Sequence, residues 1–231
     1  FVSSLQVAIN PQIIKSYAAD NLDYMNKLIC YGAKYNFFLL FLISAPIFLN
    51  SQAVLTLWLT NPPPYSNIFV KLIIINILID CISGPLMTAA QATGRIKGYQ
   101  ITVGGILLLN FPIAYIALKY NLAPQSVFYI SILISILAFI ARLIILKRLM
   151  SLPVLTYLKS VVLTGILVSI PVIFIAYLIS NVTNELGFIV ESIIMLIGAI
   201  LSIMLLGFEK VEREFLLSKA KLLYANFQKG K

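Results

Sequence analysis

The sequence contains no histidine and only two cysteines, Cys30 and Cys81. Without histidine it lacks the side chain that most often serves as general base, proton shuttle or metal ligand near neutral pH. Both cysteines fall inside apolar runs, which argues against a structural disulfide, and no cluster of cysteines or carboxylates has metal-ligand spacing. No nucleophile–base pair, glycine-rich phosphate loop, pair of catalytic carboxylates or ATPase motif is found. Neither an enzyme nor a resident cofactor is expected. A basic segment followed by a short apolar run and a cleavage site is also missing, so no signal peptide is read. The opening FVSSLQVAIN reads instead as the end of a span that begins upstream, and the chain as the C-terminal part of something longer.

Charge is the other scarce quantity. Only 11% of the 231 residues are charged while 61% are hydrophobic, and the mean hydropathy is +0.99. A soluble domain carries about 25% charged residues. Too little polar surface exists here to cover a water-soluble globule, so the composition predicts an all-α polytopic membrane protein. The net charge of +9 would suit nucleic acid. Its distribution decides against that partner, because the basic residues cluster in the gaps between apolar runs and form no continuous face for phosphates.

Six complete spans are predicted after a partial one that is interrupted by Asn10-Pro11. They run over about Leu28–Leu49, Asn67–Ala90, Tyr99–Leu118, Gln125–Leu146, Lys159–Ile179 and Gly187–Phe208. Between the first two, Trp58 and the Pro62-Pro63-Pro64 run read as an interfacial turn. Residues 1–208 thus form a membrane bundle and 209–231 a basic tail, in which Val211, Phe215, Leu222 and Ala225 share a helical face suited to a membrane surface. Of the 17 Lys and Arg, thirteen fall in one set of alternate segments, and Lys119 alone falls in the other. Lys34, Lys71 and Arg142 lie within spans. This bias predicts a cytoplasmic C-terminus and a cytoplasmic Arg95/Lys97 loop.

Asp80 is the sharpest candidate. It falls near the middle of its span and lines up at helical spacing with Asn76, Ser83, Thr88 and Gln91 in one polar stripe. An ionisable group there reads as facing a water-filled cavity, for coupling-ion binding or for pairing with a cation; the plainer reading is an acid that holds the bundle together through a Lys. Lys34, flanked by Tyr31 and Tyr35, either faces a cavity that receives an anionic head group or extends its stem to the surface. Arg142 closes a stripe with Ser131, Ser135 and Ala138, and its nearness to Lys147 favours a side chain reaching for the surface. Lys71 and Glu191 read as interfacial. Gly84-Pro85, Gly104-Gly105 and Pro112 are candidate helix breaks, although such residues are common in membrane helices without that role. Gly198 with Ser202 reads as a small-residue helix contact. The sequon at Asn181-Val182-Thr183 is discounted because its turn is very short.

Three stretches carry a family resemblance: AINPQIIKSYAADN (8–21), QATGRIKGYQI (91–101) and LLNFPIAYIALKYNLAP (108–124). Together they resemble the C-terminal half of a bacterial polysaccharide or oligosaccharide flippase of the multidrug/oligosaccharidyl-lipid/polysaccharide exporter superfamily. The resemblance implies two helical lobes around a central cavity with alternating access, in the bacterial inner (plasma) membrane. It implies a cargo of undecaprenyl-diphosphate-linked oligosaccharide moved to the outer leaflet for O-antigen, capsule or exopolysaccharide synthesis. Polysaccharide polymerase and chain-length machinery would be neighbours. Under it, Lys34, Asn110 and Arg142 would meet the head group, and Asp80 would hold a Lys in place or bind H⁺ or Na⁺ as coupling ion. The alternatives are a cation-coupled multidrug exporter of the same superfamily, expected to need more acids in its cavity, and a membrane glycan polymerase, expected to need a larger outer loop.

Overall fold

The computed structural model describes residues 2–182, 187–209 and 212–213. The 181–183 sequon as a whole, Glu185 and the helix expected beyond Arg213 lie outside the described residues. Within them the only regular secondary structure is helix, and six helical stretches are long and apolar enough to cross a membrane. These are Leu22–Leu49, Ser66–Ala92, Ile96–Lys119, Ser126–Met150, Val154–Ile179 and Phe188–Gly207. Their outward faces carry large apolar residues such as Leu108 (75% exposed), Phe111 (80%) and Ile173 (65%). Lipid, not water, is the solvent that such faces suit.

Helix α1 (Val2–Ala18) is not interrupted at Asn10-Pro11, contrary to the sequence expectation. The proline ring accepts a helical φ and removes only one donor, so the helix continues past it. The stop comes later, where Asp20 takes a left-handed conformation (φ 56°). The Asn21 N–H then reaches the Ser16 carbonyl at 2.9 Å and the Asp20 N–H that of Tyr17 at 3.0 Å, which satisfies the carbonyls of the last turn. Asn21 at once caps α2 (Leu22–Leu49), its side chain accepting from the Tyr24 N–H at 3.1 Å. The same left-handed device, on Asn121, ends the helix Asn110–Lys119. The segment after α2 is more than a turn: Ser51–Leu59 forms a short helix, α3, before the proline run.

Two spans are broken helices. The second comprises α4 (Ser66–Cys81) and α5 (Gly84–Ala92). Pro85 has no N–H to give the Cys81 carbonyl four residues earlier, and here the helix is interrupted at Ile82-Ser83 before α5 begins with Pro85 in its first turn. The Ile82 carbonyl at the break is met by the buried Tyr157 hydroxyl at 2.6 Å. The third span comprises α6 (Ile96–Leu108) and α7 (Asn110–Lys119), with a one-residue interruption at Leu109 ahead of Pro112. Gly104 and Gly105 lie inside α6 and do not break it, and a methyl group on either would meet open space. The fourth span is the continuous α8 (Ser126–Met150). The fifth begins earlier than expected, at α9 (Val154–Tyr157), and passes through a wide turn at Leu158–Leu163 into α10 (Thr164–Val182). The last is α11 (Phe188–Ser202), extended by a wide turn over Ile203–Gly207.

Helix α2 belongs to both halves of the core. Its Met25, Ile29 and Ala33 pack with Ile13, Leu86, Leu146 and Tyr157, while its Phe38, Phe41 and Ala45 pack with Val168, Val172, Met195 and Ala199. Helices α10 and α11 approach closely, as the Gly198/Ser202 pattern predicts. The Ser202 hydroxyl donates to the Val168 carbonyl at 2.6 Å, and a Cβ on Gly198 would come within 2.7 Å of Ile175 Cδ1.

Candidate functional site

The four residues singled out from the sequence do not converge on one another; each finds its own partner. Lys34, on α2, is 4% exposed, and its Nζ donates to both carboxylate oxygens of Glu212 at 2.7 and 2.8 Å. Glu212 also accepts from the Tyr35 hydroxyl and from the Glu209 N–H, each at 2.8 Å. The Tyr31 and Tyr35 rings stack at 6.0 Å, and the ammonium lies 5.4 and 5.6 Å from their centroids. Burial pushes the Glu212 carboxyl up, but the bonds from Lys34, the Glu209 N–H and Tyr35 outweigh it and hold the carboxyl below its ordinary range. In this structure Lys34 is not a free cation but is paired with Glu212. Its level explains why: Phe208, just past the last span, packs on Tyr35 and Phe38 at 6.0 and 5.6 Å. Lys34 therefore lies where the chain leaves the bundle, and about 18 Å of α2 precedes it from Leu22.

Asp80 lies one residue from the end of α4 and is exposed on the bundle surface. Its Oδ2 accepts from Asn76 Nδ2 at 3.3 Å, and no cation pairs with it among the described residues. The single polar stripe expected on this span does not share one environment. Asp80 and Gln91 are exposed, whereas Ser83 and Thr88 turn into the core at 5% and 4% exposure.

Arg142 and Asn110 both work between helices. Arg142 Nε donates to the Tyr99 hydroxyl at 3.2 Å, tying α8 to α6. It is thus partly covered by a neighbour and does not simply reach for the surface. Ser135 and Ala138, which precede it on α8, are buried. Asn110 Nδ2 donates to Ser131 Oγ at 3.0 Å, which joins α7 to α8.

Two further polar residues were not singled out in the sequence. Glu212 gave no signal there, being one acid in a basic tail. Asn36 is 1% exposed, and both polar atoms of its carboxamide lack a hydrogen-bond partner among the described residues. The only cue to it was an amide inside an apolar run. Among the described residues no group of His, Cys, Asp or Glu is arranged to hold a metal ion. Comparison of the chain with known protein families, characterised proteins and solved structures returned no match.

Proposed function

We propose that the chain is the C-terminal lobe of a flippase that carries an undecaprenyl-diphosphate-linked oligosaccharide to the outer leaflet of the bacterial plasma membrane, its C-terminus cytoplasmic. The observation that supports a transport reading best is Asp80: an ionisable group midway along a broken span, on a surface of the bundle and with no cation paired to it among the described residues. Charge at that depth is costly in lipid and is usually retained where it faces an interior or an aqueous path. The cargo class rests on the three stretches that resemble polysaccharide flippases. Arg142 and Asn110 remain candidate head-group contacts, on α8 and α7. Lys34 is the weaker of these contacts, because Glu212 already neutralises it.

The test is deletion of the complete gene, restored with wild type or with Asp80→Asn. Accumulation of lipid-linked oligosaccharide on the cytoplasmic leaflet, relieved by wild type and not by normally expressed Asp80→Asn, is expected. Normal delivery of cargo without the gene would sink the reading. A second reading, a cation-coupled drug exporter, is favoured by the same pairing of Lys34, which leaves Asp80 as a mid-span acid with no cation partner among the described residues. It predicts that the deletion strain becomes drug-sensitive while its oligosaccharide delivery is unchanged.

A further inference from the structure

Helices α4 and α10 both pack on α2, and a cavity of about 320 Å³ lies between them, closed at its back by α2 and Met195. Its walls are apolar: Phe41, Ala45, Leu78 and Val172 line the depth, and the exposed Ile75 and Ile173 stand at the mouth. The two hydroxyls inside are already engaged. Ser44 donates to the Phe41 carbonyl at 3.4 Å and Ser169 to that of Gly165 at 2.8 Å. An occupant can therefore gain little from hydrogen bonds in the depth of the cleft. One charged group reaches it, Lys71, early in α4 and so at the end of the bundle away from Arg95 and Lys97. Its ammonium lies 5.7 Å from the Phe48 ring centroid and has no carboxylate partner among the described residues.

We propose that this cleft binds one acyl chain of an anionic phospholipid, whose phosphate is held by Lys71. The volume is at the low end of the range for ligand pockets, which suits a single chain rather than a whole lipid. An apolar slot without free donors selects a hydrocarbon, and an unpaired cation at its rim selects an anionic head over a zwitterionic one. The Phe48 ring beside the ammonium keeps that cation close to the slot when the site is empty. The proposal does not depend on the transport reading.

Native mass spectrometry of the detergent-purified full chain, titrated with phosphatidylglycerol or with phosphatidylcholine, tests it. A single lysine near a lipid head favours the anionic lipid by about fivefold. Wild type is expected to retain phosphatidylglycerol by that factor over phosphatidylcholine. Lys71→Gln should bind both lipids alike, and Ala176→Phe, which fills the cleft, should lose both while its thermal unfolding remains cooperative. Equal retention of the two lipids by wild type overturns the proposal. So does an unchanged preference in Lys71→Gln, or unchanged retention in Ala176→Phe.

Discussion

Lys34 and Glu212 are separated by 178 residues in sequence and by 2.7 Å in space. The pair ties the chain leaving the last span to α2, the helix shared by both halves of the core. Four hydrogen bonds converge on one carboxylate, from the ammonium twice, a tyrosine hydroxyl and a backbone N–H. Satisfaction of this kind lets a nearly buried charge pair persist without a large net cost. Next to it a Cβ on Gly207 would come within 2.6 Å of the Phe38 ring, so the chain exits close against α2.

Removing one member should therefore be worse than removing both. Lys34→Met leaves Glu212 without its cation and should lower unfolding stability by about 2 kcal/mol. The double variant Lys34→Met/Glu212→Leu should recover at least half of that loss. Chemical unfolding in detergent, read by helix content, measures both. A double variant no better than the single one would show that the pair matters through packing alone.

The pH dependence has a definite sign. The Glu212 carboxyl is held below its ordinary value in the folded chain, so the folded state binds its proton more weakly than the unfolded one. Its contribution is fully present above the unfolded value and is lost as pH falls through the lower, folded value. The stability difference between wild type and Glu212→Gln should accordingly be constant from about pH 7 to about pH 5 and shrink below about pH 4. Unfolding midpoints of the two proteins over that range check it; a difference that grows on acidification would contradict the assignment.

The number and order of spans were legible because about twenty successive apolar residues are a strong signal, and the second span differs from its expected bounds by only one or two residues. The continuous course of α1 through Pro11 was not legible, since local chemistry marks a lost donor but does not say whether the helix goes on. The site was harder still. Depth in a span singled out Asp80, and helical spacing put Arg142 in one stripe with Ser135 and Ala138, but neither signal names a partner. A partner 178 residues away could not be read for Lys34, because only packing brings α2 to the chain exit.

The break between α4 and α5 depends on one hydroxyl. Pro85 gives the Cys81 carbonyl no donor, and the Tyr157 hydroxyl, fully buried, meets the next carbonyl at 2.6 Å. Tyr157→Phe keeps the ring and leaves that carbonyl buried without the bond, at a cost of about 2 kcal/mol. Thermal unfolding should show it as a lower midpoint with cooperativity intact. A change below about 0.5 kcal/mol would mean that the break reaches another donor.

Asn36 should respond in the opposite direction. It lies one turn from Gly32, where a Cβ would come within 3.2 Å of Pro85 Cγ, so the region around it is tightly closed. Its carboxamide is buried at 1% exposure with neither polar atom paired among the described residues. A buried amide without partners carries its desolvation cost uncompensated, and an apolar side chain of similar size does not. Asn36→Leu should therefore raise stability by about 1–2 kcal/mol, with Asn36→Asp, which adds a charge at the same place, lowering it. Chemical unfolding of the three proteins side by side decides this. A loss of stability in Asn36→Leu would show that the carboxamide has a partner in the folded protein, for which an internal water bridging it to neighbouring polar groups is the simplest physical form.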